Sequence, residues 1–130
     1  MGKEPSMGRP DGDPVLSLVV RFNEALNRQE VDTMLGLMTE ECVFENTAPS
    51  PDGARYQGQK AVRAFWEAFF RSSQSPRIEI EEIFVLGERC VMRWIYHWVD
   101  TQGLPGHIRG VDIYKISGDK IAEKLSYVKG

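Results

Sequence analysis

One carboxylate stands inside a segment that otherwise has the composition of a β-strand. The segment from 110 to 116 reads Gly-Val-Asp-Ile-Tyr-Lys-Ile, and Asp is depleted from strand interiors, where β-branched and aromatic residues fit better. A buried ionised carboxylate is costly unless it is paired, solvated or neutralised. Asp112 is therefore expected to face an internal wet cavity, to lie beside a partner group, or to lie on the surface.

The chemistry that such a carboxyl group can perform is proton transfer. In an apolar cavity its charged form is disfavoured, which suits it to general acid–base work. By the period of two, Tyr114 shares a strand face with Asp112, and its hydroxyl can donate to a ligand or to Asp112. A catalytic role and a purely ligand-contacting role for Asp112 both remain open, as does a plain surface position.

Aromatic residues recur near this segment. Trp94, Tyr96 and Trp98 share one face of a strand, while Trp66 and Phe69 share one face of a helix. They form either a wall for a planar or polycyclic ligand or ordinary core, which is the usual role of an apolar helical stripe. The sequence leaves open whether these side chains line a pocket or fill it.

Length and composition limit the classes of protein. The 130 residues, with a net charge of -3 and scattered Lys and Arg, indicate one domain, no nucleic-acid partner and no membrane span. Cys42 and Cys90 have no metal-ligand spacing with His97 or His107. We therefore expect reduced core thiols, no metal and a cytoplasmic location. Residues 1–12 are predicted to be a flexible leader, and 13–130 a single domain.

The hydrophobic periodicity changes once along the chain. Asp13-Pro14 begins a helix that reaches about Asn27, a short second helix covers about 31–38, and the helical period returns from Gly58. Residues 42–45 are predicted to form a short strand, and residues 47–57 are predicted to form a loop. The period then becomes two, which predicts strands at 78–86, 90–99, 107–116 and 120–129, joined by short turns. Helices followed by a meander indicate an α+β fold.

The last three predicted strands are apolar on both faces. Three helices cover only one face of such a sheet, and the other would leave a large apolar patch. We therefore predict a homodimer joined through the sheet faces. His97, on the face opposite Trp94, and His107 and Arg109, opposite Asp112, are expected to point toward that interface or solvent.

The element order and several motifs resemble the nuclear transport factor 2-like superfamily, and within it the SnoaL-like polyketide cyclase and ketosteroid isomerase-like group. The motifs are Phe-Glu-Asn at 44–46, Tyr-Gln-Gly at 56–58, Ala-Val-Arg-Ala-Phe-Trp at 61–66, and the closing hairpin from 109 to 127. The resemblance implies a cone: three N-terminal helices packed on a strongly curved antiparallel sheet that encloses a pocket. Fold alone does not assign activity.

The resemblance also implies roles for particular residues. Asp112 aligns with the acid/base aspartate of SnoaL-like cyclases, and Asn46 aligns where ketosteroid isomerases keep their general base. An amide cannot abstract a proton, so Asn46 either holds a ligand oxygen or makes turn hydrogen bonds. Ser126 aligns with a catalytic aspartate of limonene-type epoxide hydrolases. The turn at 117–119 decides whether Lys124 and Ser126 share the face of Asp112, and the sequence leaves its register open.

The leading hypothesis is an enzyme of the SnoaL-like kind, acting without a cofactor on a hydrophobic, carbonyl-bearing small molecule. Asp112 would move a proton, and Asn46, Tyr114 or an indole would stabilise the substrate oxygen in a cyclase, isomerase or dehydratase reaction. The alternative is a non-catalytic ligand-binding or dimerisation module of the same fold. The expected ligand contacts are Asn46, Tyr114, Trp94, Tyr96, Trp98 and Trp66.

Overall fold

The α+β order predicted from the periodicity is confirmed. The computed structural model describes residues 13–130, and the predicted leader, 1–12, lies outside the described residues. The helices are α1 (Pro14–Asn27), α2 (Val31–Gly36) and α3 (Gln59–Ser72). The strands are β1 (Met38–Glu45), β2 (Arg55–Gln57), β3 (Arg77–Leu86), β4 (Arg89–Val99), β5 (Pro105–Ser117) and β6 (Lys120–Val128).

All six strands form one curved, open sheet in the order β2-β1-β6-β5-β4-β3. The four C-terminal strands make the predicted antiparallel meander, whereas β1 joins β6 in parallel, so the sheet is mixed. The helices pack on the inner face of this sheet. That face of the sheet and the buried sides of α1 and α3 enclose the core.

The N-terminal strands differ from the prediction. Strand β1 begins at Met38, which the helical period had assigned to the second helix, and β2 lies inside the predicted loop. Both depend on distant partners, because Met38 pairs with Ile121 and Tyr56 pairs with Phe44. Strand formation of this kind comes from cross-strand pairing and carries little local signal.

Helix α1 begins where the sequence indicated. The Asp13 carboxylate accepts hydrogen bonds from the backbone N–H groups of Val15 (2.9 Å) and Leu16 (3.3 Å), which caps the first turn. The apolar stripe of α1 is buried; within it Val19 and Phe22 have no exposed surface. The helix is thereby fixed on the sheet by its apolar face.

The β5–β6 hairpin contains the irregularity that sets the register. Its turn is the two-residue kind, but Ala122 is an extra residue in β6, a β-bulge that shifts the pairing by one. Asp112 consequently lies opposite Ser126, and Tyr114 opposite Lys124. A tight turn without the bulge would have placed Leu125 beside Asp112 and turned Lys124 to the other face.

Glycine at position 110 makes room for an indole. Trp94 pairs with Gly110 across β4 and β5, and its ring lies over that backbone. A Cβ atom at position 110 would clash with the Trp94 ring and with the Tyr127 carbonyl. The same arrangement recurs where Trp98 faces Gly106.

The two cysteines are part of the core. Cys42 and Cys90 are free and fully buried, and burial raises the pKa of the Cys90 thiol to about 12. Within residues 13–130 no helix is long and apolar enough to cross a membrane.

We expect Gly110→Ala to lower the free energy of unfolding by about 1–3 kcal/mol, because the added methyl group displaces the Trp94 ring or the neighbouring strand. Denaturant unfolding followed by circular dichroism measures the change. Gly36→Ala is the matched control, since nothing lies within 4 Å of a Cβ at that helical position, and its stability should equal or slightly exceed wild type. Equal stabilities for the two variants would contradict the role assigned to Gly110.

Candidate active site

A cavity of about 110 Å³ lies between the helices and the inner face of the sheet. Six of the residues that line it are aromatic, and two, Leu26 and Ile78, are aliphatic; the aromatic ones are Phe44, Phe65, Trp66, Phe69, Trp94 and Tyr96. The other six lining residues are polar, namely Asn23, Asn46, Thr47, Asp112, Lys124 and Ser126. A mostly apolar cavity with a few convergent polar groups is the usual form of a small-molecule site.

The wall has a buried part and a part near solvent. Asp112 and Lys124 are buried, being 2% and 5% exposed, whereas Asn46, Phe65 and Ser126 are partly exposed. The cavity therefore has a partly exposed entrance, bordered by the end of β1 and by α3. It leads inward to a charged floor formed by Asp112 and Lys124.

Asp112 is held by three hydrogen-donating groups. Its Oδ1 accepts the indole N–H of Trp94 at 2.9 Å, and its Oδ2 accepts the hydroxyl of Tyr114 at 3.1 Å. The Nζ atom of Lys124 lies 3.1 Å from Oδ2. Of the three positions considered for this carboxylate, the structure therefore combines two, since Asp112 lies on a cavity and beside a partner.

Lys124 completes a buried ion pair. Its ammonium group also donates to the Ser126 hydroxyl at 3.0 Å and lies 4.7 Å from the centre of the Phe44 ring, over its face. Desolvation of two buried charges is expensive, and it is offset only when the geometry is good and the remaining lone pairs and protons have partners. The aromatic face adds a cation–π attraction.

The Tyr114 hydroxyl links this pair to helix α1. The Asn23 side-chain amide donates to the Tyr114 oxygen at 3.1 Å and to the Val19 carbonyl at 2.9 Å. Burial raises the pKa of Tyr114 well above its usual value, and the neighbouring Asp112 raises it further. Tyr114 therefore keeps its proton and directs it to Asp112.

The structure brings most of the predicted site residues together. Trp66, Trp94, Tyr96, Asn46 and Asp112 all line the cavity. The other two predicted ligand contacts do not line it: Tyr114 is fully buried behind Asp112, and Trp98 stacks on Tyr96 farther along β4. The catalytic and ligand-binding roles of these seven residues remain predictions.

The histidines lie on the outer face of the sheet. His97 contacts Glu79 at 2.9 Å, and its ring centre is 6.2 Å from that of His107. Arg109 pairs with Glu81 at 3.3 Å on the same face. Nowhere in residues 13–130 do three or more His, Cys, Asp or Glu side chains form a cluster suited to a metal ion.

Two groups of site residues were missed or left undecided by the sequence. The sequence left undecided which face of the sheet carries Lys124 and Ser126. The bulge at Ala122 places both side chains on the cavity side. Asn23 was missed, although a signal exists: it is a polar residue that follows Val19 by four positions, inside the buried stripe of α1. A polar residue within an apolar stripe often indicates a buried hydrogen bond.

A curved sheet that holds a buried ion pair inside an aromatic cavity, covered by three helices, defines a cone-shaped domain of the nuclear transport factor 2-like class. The family model described as SnoaL-like domain matches residues 19–124. The chain therefore belongs to the SnoaL-like family.

Solved structures of related proteins agree with this assignment. A nuclear transport factor 2-like protein of unknown function from Mesorhizobium loti is 35% identical, with a TM-score of 0.76 and coverage of 90% of this chain and 92% of that chain. A Mycobacterium tuberculosis protein in complex with estradiol-17β-hemisuccinate is 21% identical (TM-score 0.74, coverage 88% and 92%).

A Catenulispora acidiphila protein with a ketosteroid isomerase-like fold, in complex with trimethylamine, is 13% identical (TM-score 0.76, coverage 85% and 83%). The last two show similarity of fold alone. No curated protein sequence matches the chain.

We expect Lys124→Met to lower the free energy of unfolding by about 3–5 kcal/mol, because it leaves the Asp112 carboxylate buried without its ionic partner. Adding Asp112→Asn to that variant should restore part of the loss, since no buried charge then remains. Denaturant unfolding of both single variants and the double variant measures the coupling between the two sites.

Arg93→Met is the control for the loss of an ion pair as such. The Arg93–Glu82 pair is about half exposed on both sides, so its loss should cost at most about 1 kcal/mol. A double variant no more stable than Lys124→Met would contradict the assigned pairing.

Proposed function

We propose that this protein binds a hydrophobic, carbonyl-bearing small molecule in the cavity and that Asp112 transfers a proton at the carbon beside the carbonyl, with no cofactor. The observation that carries the proposal is the position of one buried carboxylate on an aromatic cavity wall, oriented by Trp94, Tyr114 and Lys124. A general base must be held within hydrogen-bonding reach of the proton that it removes.

Asp112 retains the capacity to accept a substrate proton. An ionised carboxylate has about four lone-pair positions on its two oxygens, and three are occupied by the indole, the hydroxyl and the ammonium group. The three donors hold the carboxylate in one orientation. The remaining lone pair is the one that a bound substrate would meet.

The negative charge that develops on the substrate oxygen requires donor hydrogens that are not already directed to Asp112. Trp94 and Tyr114, two of the candidates from the sequence, both donate to Asp112. Lys124 contacts Asp112 as well, but its ammonium group carries three hydrogens and so has more than one to donate. Donors on the wall that suit this role therefore include the Lys124 ammonium, the Ser126 hydroxyl and the Asn46 amide. A positive charge in a buried site stabilises a developing oxyanion more strongly than it would in water.

This arrangement suits reactions that begin with proton abstraction next to a carbonyl, namely cyclisation, isomerisation and dehydration. The aromatic side chains on the cavity wall favour a flat, apolar ligand frame. Relatives of the same fold that hold estradiol-17β-hemisuccinate and trimethylamine support a small-molecule partner.

A second candidate function is binding without chemistry. It is favoured by the contacts of Asp112 themselves, because a carboxylate with three donors is also a stable structural element. Among the described residues on the wall, the ionisable side chains besides Asp112 are Lys124, its own partner, and Tyr96. The pKa of Tyr96 is raised by burial, which keeps its hydroxyl protonated.

Exchange of α-protons distinguishes the two functions without knowledge of the natural substrate. We expect the wild-type protein to catalyse deuterium incorporation into 2-tetralone in D₂O, followed by proton NMR. Asp112→Asn should lower the exchange rate by about 100-fold or more, the usual contribution of a general base.

The Asp112→Asn/Lys124→Met double variant buries no unpaired charge, so we expect it to be folded by circular dichroism and still inactive. Loss of exchange in a folded variant cannot be due to unfolding. Arg93→Met, on the outer face, serves as the active control. Exchange that persists in the Asp112→Asn variant would overturn the proposed mechanism. Binding of 2-tetralone without any exchange would favour the binding module.

We also propose that the outer face of the sheet joins two copies of the chain. Phe84, Val91, Ile113 and Leu125 lie side by side across four strands and form an apolar stripe on that face. Phe84 is half exposed, and the other three are only partly buried. An uncovered apolar stripe of this length fits an interface better than a free surface.

Charged rows border the stripe on both sides. Arg93 pairs with Glu82 on one side, and Arg89 pairs with Glu123 on the other. A polar rim around an apolar centre is the common anatomy of a protein interface. A two-fold axis through the stripe would bring each copy's apolar centre onto its equivalent.

We expect the wild-type protein to have the mass of a dimer in size-exclusion chromatography with light scattering, and Ile113→Glu to have that of a monomer, because it places a charge at the centre of the stripe. Leu104→Glu is the control, since Leu104 is an exposed apolar residue outside the stripe. A monomeric wild type, or dissociation caused equally by both substitutions, would contradict this interface.

A further inference from the structure

A second pocket lies beside the entrance of the candidate site, and we call it the entrance pocket. Its volume is about 400 Å³. It shares Asn46, Thr47 and Ser126 with the wall of the first cavity, and all three residues are partly exposed. The first cavity, of about 110 Å³, is smaller than the usual small-molecule site of about 300–1,000 Å³. A ligand of ordinary size would therefore extend past these three residues into the entrance pocket.

The parallel pairing of β1 with β6 places the entrance pocket at one edge of the sheet. Parallel strands run toward the same edge, and Glu45, the last residue of β1, lies opposite Leu125 of β6. The residues that follow them, Asn46 and Ser126, are therefore neighbours at that edge. The loop from 47 to 54, which connects β1 to β2, supplies further residues of the pocket wall.

Backbone hydrogen bonds fix the shape of this loop. The Asn46 N–H donates to the Ala54 carbonyl at 2.9 Å, and the Ala54 N–H donates to the Ala48 carbonyl at 3.0 Å. The Gly53 N–H donates to the Pro49 carbonyl at 2.7 Å. A Cβ atom at Gly53, whose φ is +79°, would overlap the Asn46 carbonyl. The pocket is thus formed without a ligand, which reduces the entropic cost of binding one.

The wall of the entrance pocket combines both signs of charge with neutral polar groups. The polar side chains at the strand ends and in the loop are Glu45, Asn46, Thr47, Asp52, Arg55 and Ser126. Arg55 pairs with Glu45 at 2.8 Å, and Asp52 adds a second carboxylate. A cationic ligand group would be repelled by the guanidinium, and an anionic one by the two carboxylates. Hydroxyl groups both donate and accept, so they match every polar group on this wall.

We propose that the ligand continues from its flat, carbonyl-bearing frame into a sugar-like part rich in hydroxyl groups, and that this part binds in the entrance pocket. The inference rests on the proposed function for the frame in the first cavity, and the hydroxylated part is the new element. With the carbonyl group at the charged floor, the opposite end of the frame points to the entrance. On an aromatic ring, the position para to the carbonyl group meets this condition.

Four matched probes test this inference by isothermal titration calorimetry. They are 4-acetylphenyl β-D-glucopyranoside, the tetrahydropyranyl ether of 4-hydroxyacetophenone with the same second ring but no hydroxyl groups on it, 4-methoxyacetophenone, and methyl β-D-glucopyranoside without the aromatic frame. We expect the acetylphenyl glucoside to bind most tightly, about tenfold or more above each of the others. Equal affinity for the acetylphenyl glucoside and the tetrahydropyranyl ether, or binding of neither, would overturn the inference.

Two further results of the titrations would also overturn it. Methyl glucoside that binds as tightly as the acetylphenyl glucoside would show that the sugar needs no attached frame. Tighter binding of 4-(2-aminoethoxy)acetophenone than of the acetylphenyl glucoside would show that the entrance pocket selects a cation instead of hydroxyl groups.

Removal of the Asp52 carboxylate tests the residue that the proposal uses most directly. We expect Asp52→Ala to weaken binding of the acetylphenyl glucoside by about tenfold, because hydrogen bonds to a charged acceptor are the strong ones, and to leave 4-methoxyacetophenone unaffected. Asp119→Ala is the matched control, since Asp119 is also exposed but lies in the turn at the other end of β6. Equal losses for both probes, or no loss for the glucoside, would contradict the assigned contact.

Backbone amide NMR signals locate the sugar without a substitution. In ¹⁵N-labelled wild-type protein, the signals of Asp52 and Gly53 should move when the acetylphenyl glucoside binds and stay in place with 4-methoxyacetophenone. Signals from the loop that respond equally to both probes, or to neither, would contradict binding of the sugar in the entrance pocket.

The outcome is separable from that of the proposed catalysis. The same titrations with Asp112→Asn/Lys124→Met, which lacks the proposed base, should preserve the advantage of the acetylphenyl glucoside over the tetrahydropyranyl ether. Absence of proton exchange with an intact binding preference would count only against catalysis. Exchange of the α-protons of 2-tetralone without any preference for the glucoside would count only against the present inference.

Discussion

The buried ion pair between Asp112 and Lys124 is the constraint on which the inner face of this protein depends. Two charges within an aromatic cavity are tolerated only if each has its partner and its hydrogen bonds. Several otherwise irregular features of the sequence serve that requirement. The bulge at Ala122 turns Lys124 inward, and Gly110 leaves the space through which the Trp94 indole reaches the carboxylate. Asn23, within a helix stripe, supports the Tyr114 hydroxyl.

The same pair determines what the cavity can do. Because the two charges neutralise each other, the cavity presents an apolar ligand with a polar floor and no net charge from this pair. The carboxylate is held in one orientation, so the proposed proton transfer would need little reorganisation. The ammonium group lies 3.1 Å from the carboxylate, and in the proposed reaction it would stabilise the negative charge on the substrate oxygen. The stability of the core and the proposed reactivity of the site would therefore depend on the same side chains.

The two faces of the sheet carry different arrangements of polar and apolar side chains. The inner face carries a few polar groups that are buried and bonded to one another, whereas the outer face carries rows of exposed ion pairs beside an apolar stripe. Exposed pairs contribute little to folding because water screens them. In the proposed dimer they would border and orient the interface. The alternation of side chains along each strand is what allows one sheet to carry both arrangements.

The sequence alone determined the α+β order, the cap of α1, the meander of the last four strands and the unusual position of Asp112, since each is expressed in local periodicity or in a single residue type. The sequence identified residues that line the cavity where they belong to a recognisable aromatic stripe, as Trp66, Trp94 and Tyr96 do. The tertiary structure decided the parallel addition of β1, the strand at 55–57 and the face of Lys124. Each of these depends on pairing between residues far apart in the chain. A shift of one residue in that pairing exchanges the two faces of a strand. A bulge causes such a shift here, and the local sequence pattern does not show whether a bulge is present.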